Sequence, residues 1–212
     1  MTSTMIDVGA PGLETSVQEL PGRIGYWEQG FPPSGPMDIW SFRLANLLVG
    51  NAPETAALEC QFLGPELRFN SATCIAVTGA DMAPTLDGAV VPPWTTVAVA
   101  AGQVLRLGPA ISGARAYVAV AGGIDTPPVL GSRATFHMAG VGGMEGHAIK
   151  AGGRLPVGSS GVPPPPGTRV RDDARPAIDS GAHWTIEVVP GPNDDWLDDA
   201  GQERFLTADW TL

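Results

Sequence analysis

The sequence predicts a mainly β fold, a barrel or sandwich of short strands with one helix near the N-terminus. Three observations predict it. There are 28 glycines and 21 prolines among 212 residues, so turns are frequent. Only 16% of residues are charged while 43% are hydrophobic, with six tryptophans, a balance that forms a core rather than a disordered chain. Short apolar runs also recur between turn signals, at a spacing typical of barrels and sandwiches.

Met5 to Val8 reads as a strand turned by Gly9-Ala10-Pro11-Gly12, and Glu14 to Leu20 alternates as a second. A loop rich in glycine, proline and serine follows at Gly30–Pro36, then a helix over 39–49. Asp38 is its N-cap, since a carboxylate there accepts from unpaired N–H groups and suits the positive end of the dipole. Ile39, Phe42, Leu44, Ala45, Leu47, Leu48 and Val49 lie close to one apolar stripe, and Gly50-Asn51 ends it. Thr55–Phe62 and Glu66–Phe69 read as strands. Thr73–Thr78 is a buried strand, stopped by Gly79, and Asp87-Gly88 makes a hairpin turn.

Thr95–Ala100 and Gln103–Leu107 read as a pair across Ala101-Gly102, and Ala114–Ala121 as a further strand closed by Gly122-Gly123. From Gly131 the chain has too many glycines for a helix and too little alternation for a strand. It reads as a long irregular loop, a frequent place for function, before strand-like sequence returns over Ala148–Val157. The expected organisation is a barrel over residues 1–157, a Pro/Gly linker over 158–182 that acts as a stiff spacer, and the start of a second, incomplete lobe over 183–212. In that last part Trp184–Val189 reads as a strand and Asp198–Phe205 as a short helix.

A net charge of −10 leaves no basic face for nucleic acid. Cys60 and Cys74 lie in apolar runs without metal-like spacing and read as buried free thiols. No apolar run reaches the length of a membrane span, so a cytoplasmic location is the default expectation. The three histidines are scattered, and neither GxSxG nor GxGxxG occurs. The loop at 30–36 and the mouth of the β-structure are expected to form a small-molecule site.

The tracts GRIGY, PPSGPMD, RLANLLVGN, ALE, VTGADM, YVAVAGGID and LGSRATF, with a later GPNDDW, resemble allophanate hydrolase subunit 2-type proteins along nearly the whole chain. The resemblance implies a cyclophilin-like β-barrel and a biotin-dependent carboxyltransferase-type function. The wording lies nearest the urea carboxylase branch, with a subunit of bacterial 5-oxoprolinase as a close relative. The implied role is a component moving a carboxyl group from carboxybiotin to the nitrogen of urea or a related amide. A subunit of ATP-dependent 5-oxoprolinase, or a non-catalytic regulatory partner, are the alternatives. The chain carries no biotin-attachment lysine and no nucleotide loop, so biotin on a carrier, or ATP, would come through a subunit-1-type partner or fused domain.

Such chemistry needs groups that hold a planar amide, stabilise the leaving carboxyl group and exclude water. Ser34, Gly35 and Met37, with the N–H groups that open the helix, offer a cradle. Asp38 is either an acceptor for amide N–H groups or only a cap. Asp81, after Gly79 at a strand exit, is a catalytic candidate or a turn aspartate. Arg133 either clamps a carboxylate with its planar fork or forms a structural ion pair. Thr135 and His137 lie beside it as substrate-binding candidates. Asn46 and Glu59, polar residues in apolar surroundings, read as a bridge between helix and barrel.

Overall fold

The computed structural model describes residues 4–159, 161–177 and 184–210. Two antiparallel sheets face each other across one core. The first contains β1 (Met5–Ala10), β4 (Glu66–Phe69), β6 (Thr85–Leu86), β7 (Ala89–Val90), β9 (Val104–Arg106) and β11 (Arg154–Pro156), in the order β11-β1-β4-β9-β6-β7. The second contains β2 (Glu14–Gln18), β3 (Ala57–Gln61), β5 (Thr73–Asp81), β8 (Val97–Val99) and β10 (Ser112–Val120), in the order β2-β3-β10-β5-β8.

Side-chain alternation divides the second sheet between two environments. Val17, Leu58, Ile75, Val77, Val118 and Val120 point inward and meet Ile6, Leu67, Phe69, Leu105 and Leu155 of the first sheet. Ala57, Cys74, Ala76, Tyr117 and Ala119 point outward, where helix α1 (Ile39–Leu48) covers them with Phe42, Ala45 and Leu48. The Phe42 and Tyr117 rings meet edge to face at 5.9 Å. Thr78 and Thr96 donate to the Ser41 and Leu48 carbonyls at 2.7 and 2.6 Å, which fixes both ends of the helix on the sheet.

Several elements depart from their expected form. β5 does not stop at Gly79 but passes through it to Asp81, because Gly79 adopts φ +81° and bends the strand. β8 and β9 are not partners: β8 pairs with β5, whereas β9 pairs with β4 and β6 in the other sheet. The Ala101-Gly102 turn therefore passes the chain between sheets instead of folding it back. The strand expected over 148–157 is only Arg154–Pro156, paired with β1. Asn46, as expected, bridges, donating to the Thr55 carbonyl and accepting from Asn51.

The chain divides into two compact units, residues 1–180 and 181–212. Within the stretch read as a linker, residues 161–177 run along the first unit. Thr96 donates to the Thr168 carbonyl at 2.8 Å and Val170 to that of Trp94 at 3.0 Å. In the second unit Asp198 caps helix α2 (Asp199–Thr207) through the Gly201 N–H at 2.7 Å. The strand expected over Trp184–Val189 is not formed, since the described residues of this unit offer no strand to pair with it. No described helix is long and apolar enough to cross a membrane.

Candidate functional site

Residues 33–38 form a strap across the outward face of the second sheet. Three of its N–H groups donate to side chains on three adjacent strands: Gly35 to Gln18 Oε1 at 3.1 Å, Met37 to Glu59 Oε2 at 2.8 Å, and Asp38 to the Tyr117 hydroxyl at 2.7 Å. The strap needs backbone that few residues tolerate, with φ +60° at Ser34 and +112° at Gly35. Its start is tied down by the Arg23 N–H, which donates to the Pro33 carbonyl at 2.7 Å.

Glu59 is the centre of this arrangement. The same Oε2 that holds Met37 accepts the Tyr117 hydroxyl at 2.8 Å, and its Oε1 lies 3.5 Å from Arg115 Nε. Burial chiefly, reinforced by the Glu59 charge, raises the Tyr117 phenol well above its ordinary range, so this hydroxyl stays protonated as a donor.

Beside the strap lies a hollow of about 210 Å³ lined by Met37, Asp38, Ala80, Gly113, Ala114 and Arg115. Its origin is a register shift. Ser112 pairs with Asp81 and Ala116 with Gly79, so Gly113, Ala114 and Arg115 together oppose the single residue Ala80. Gly79 permits the close approach there, since a Cβ on it would stand 2.4 Å from the Arg115 carbonyl oxygen.

The structure places the expected site residues in two groups. Met37 and Asp38 line the hollow with Ala80, and Asp81, the next residue along β5, is not part of its lining. Asp38 also caps α1, accepting the Ser41 N–H at 3.0 Å and the Ser41 hydroxyl. Asp81 accepts the Ala83 N–H at 2.9 Å, as a turn aspartate does. Arg133 stands elsewhere, paired with Asp125 at 2.7 Å and Glu19 at 3.7 Å. Those partners lie beyond the ends of β10 and β2, whereas Asp81 pairs at the start of β10, about 25 Å away along a nine-residue strand. The expected sharing of one hollow by Pro32–Asp38, Asp81 and Arg133 is therefore corrected: Met37 and Asp38 end the strap at the hollow, whereas Arg133 pairs with Glu19 beside the Gly35 end of the strap and lies far from Asp81.

Thr135 is buried and donates through both N–H and hydroxyl to the Val17 carbonyl at 2.9 Å, closing the free edge of β2. His137 Nε2 meets Glu14 at 3.0 Å on the surface. Of the expected cradle, the Gly35 N–H donates to Gln18 and the helix-opening Ser41 N–H to Asp38, at 3.1 and 3.0 Å. The glycine-rich stretch after Gly131 is closely packed. A Cβ on Gly142 would meet the Ala134 carbonyl oxygen at 2.1 Å and Arg23 Nη2 at 2.2 Å.

Sequence reasoning missed Arg115 and Tyr117 as site residues and took Glu59 only as a bridge. The usable signal was the acidic residue inside an apolar strand, ALECQ, and the basic and phenolic residues two apart in ARAYVAV, which share one face of a strand. It also missed Arg23, fully buried, whose guanidinium donates to the Val129 carbonyl at 3.2 Å and to that of Ala134. Among the described residues no group of three or more His, Cys, Asp or Glu is placed to hold a metal ion.

Comparison with known proteins agrees with this β architecture. The family model described as "Carboxyltransferase domain, subdomain A and B" matches residues 29–212. Urea amidolyase of Saccharomyces cerevisiae is 41% identical over 99% of this chain, which spans 12% of that protein. A 5-oxoprolinase subunit of Escherichia coli is 37% identical over 98% of this chain, which spans 64% of that protein. The crystal structure of Kluyveromyces lactis urea carboxylase superposes with a TM-score of 0.79 and 40% identity, covering 85% of this chain and 16% of that one.

Proposed function

Because the chain belongs to the carboxyltransferase-domain family, subdomains A and B, we propose that it is the carboxyltransferase-type component of a biotin-dependent urea or related amide carboxylase. In this reading it directs a carboxyl group onto a substrate nitrogen and works with a subunit-1-type partner or fused domains. The observation that carries the reading is the strap itself. Gln18, Glu59 and Tyr117 hold Gly35, Met37 and Asp38, and the last two stand at the edge of a hollow whose remaining wall carries Arg115. A planar amide presented there meets a carboxylate acceptor, a cation and small apolar walls.

Biotin would arrive on a carrier elsewhere in the assembly. In the hollow Arg115 would hold the carboxylated end of such a group and Met37 would lie over it, and carboxybiotin would supply the activated carboxyl group. The chain's own residues do the rest. Asp38 accepts amide N–H groups and orients the nucleophilic nitrogen. Arg115 draws negative charge on oxygen toward one side. Met37, Ala80 and Ala114 keep water from the reacting atoms.

Mixing the chain with its partner subunit or domains and a carboxylated biotin carrier tests this. Urea-dependent loss of the carboxyl group from the carrier is expected, and an unchanged carrier would count against the reading. A second reading is a subunit of 5-oxoprolinase, supported by the 37% identity to the Escherichia coli subunit over 98% of this chain. Phosphate release that requires 5-oxoproline and ignores biotin would select it.

A further inference from the structure

We infer that the Arg115–Asp38 pair forms a recognition site for a carboxylate with an N–H donor beside it. Arg115 takes the carboxylate and Asp38 the N–H. This rests on the carboxyltransferase reading and names the chemistry its hollow selects.

Arg115 is held but hardly used. Its guanidinium side chain is 26% exposed and lines the hollow. Its one hydrogen bond among the described residues, from Nη2 to Gln61, spans 3.5 Å, and its Nε is buried without a hydrogen-bond partner, 3.5 Å from Glu59. The other acceptor positions of Glu59 are turned to Met37 and Tyr117 at 2.8 Å each. Arg133 and Arg106, by contrast, make close bonds of 2.7 and 2.8 Å to carboxylates. A guanidinium has five donors in a planar fork that matches a carboxylate edge. Arg115 lines the hollow beside Ala80, Gly113 and Ala114, small residues that leave room for a ligand. Glu59 is the positioning residue, with its Oε1 3.5 Å from the Arg115 Nε.

Asp38 supplies the opposite polarity from the strap side of the same hollow. Its oxygens each receive one bond from Ser41, and a carboxylate offers about four acceptor sites. One cation and one anion side by side reject a bare anion less well paired to Asp38, and reject a neutral amide that cannot satisfy Arg115. They suit a group carrying both an N–H and a carboxylate. An amide N-carboxylate and a lactam acid share that pattern, so both candidate reactions would use the pair.

Oxamate, a planar amide carboxylate, and oxamide, its neutral counterpart, separate the contributions by NMR titration of the full chain. Oxamate is expected to shift the amides of Met37, Ala80 and Gly113–Arg115, and to bind about tenfold or more tightly than oxamide, as one charge-assisted contact allows. Arg115→Gln should erase that preference, Arg115→Lys should keep only part of it, and Arg106→Gln should leave it intact. Equal affinity for oxamate and oxamide in the unaltered protein would overturn the inference, whatever the variants do, as would unchanged discrimination in a folded Arg115→Gln protein. Urea-dependent carrier decarboxylation is measured separately, so a functioning enzyme that fails to discriminate refutes this site alone.

Discussion

The Tyr117 hydroxyl donates to Glu59 Oε2 at 2.8 Å, from a residue that is also its cross-strand partner on β3 and β10. That one bond joins sheet to strap, because the same hydroxyl accepts the Asp38 N–H and the same oxygen accepts that of Met37. Tyr117→Phe should therefore cost about 1–3 kcal/mol, the usual consequence of leaving buried groups unpaired. It should also raise amide exchange at Asp38 far more than in the barrel interior. Urea unfolding and hydrogen exchange read the two effects. Equal protection at Asp38 in both proteins would show that the strap is held by other means.

Glu59→Gln keeps the side chain's shape but removes its charge. With the amide oxygen in the Oε2 position it still accepts from Met37 and Tyr117, while the NH₂ group faces the Arg115 guanidinium. Stability should fall by about 1–3 kcal/mol, and carboxyl transfer should fall by a larger factor than stability explains, because Arg115 loses its orienting partner. Activity at a temperature where both proteins are fully folded isolates the second effect.

How far the sequence carried depends on whether the signal was local. Asp38 and its stripe Phe42–Ala45–Leu48 specified a helix, and Asp87-Gly88 specified a hairpin with φ +49° and +86°, because cap and turn chemistry are written in adjacent residues. The pairing of β8 with β5 and of β9 with β4 is not local, and neither is the placement of Arg115 between Glu59 and Gln61. Arg133 drew notice because an arginine in a glycine-rich loop resembles an exposed clamp. Its partners Glu19 and Asp125 are not its neighbours in the chain, and only the fold shows that they engage it.

The bulge is expected to be intolerant of side chains at its hinge. Gly79→Ala places a Cβ 2.4 Å from the Arg115 carbonyl oxygen and holds a non-glycine residue at φ +81°. A loss of about 2–4 kcal/mol follows from strain and backbone displacement. Gly88→Ala meets nothing within 4 Å and should cost about 1 kcal/mol, from φ alone. Thermal melts of the two variants give the comparison.

Stability should decline in alkali. Burial pushes the Cys60 thiol up from 9.0 to about 12, and burial and Glu59 raise the Tyr117 phenol as well. Between pH 9 and 12 the unfolded chain gives up the Cys60 proton while the folded chain keeps it, so unfolding is favoured as pH rises. The contribution is whole below pH 9 and falls by about 1.4 kcal/mol per pH unit above it. Cys60→Ala, corrected for its cavity, should flatten this slope in urea melts from about pH 8 to 10.5. The same shift makes native Cys60 inert to thiol reagents at about pH 8.

Two arginines of similar sequence appearance should behave in opposite ways. Arg133 is about one-third exposed, and removing an ion pair of this kind costs about 1 kcal/mol or less. Its distance from the hollow predicts that Arg133→Ala leaves carboxyl transfer nearly unchanged. Arg23 is fully buried and joins the strap to the stretch after Val129 through the carbonyl groups of Val129 and Ala134. Burial lowers its guanidinium from the ordinary value, opposed by the charge of Glu19, so the ion is already held at a cost that its bonds offset. Arg23→Met deprives the buried Ala134 carbonyl of the Arg23 donor and leaves Val129 only the Ser132 N–H, and should destabilise by about 2–5 kcal/mol. Below its melting temperature that variant should also lose activity, since Pro33 is anchored by the Arg23 N–H and a shift there carries to Met37. Transfer assays and melts on both variants decide the matter. A large activity loss in Arg133→Ala with normal stability would return Arg133 to the reacting site and displace the hollow beside Arg115.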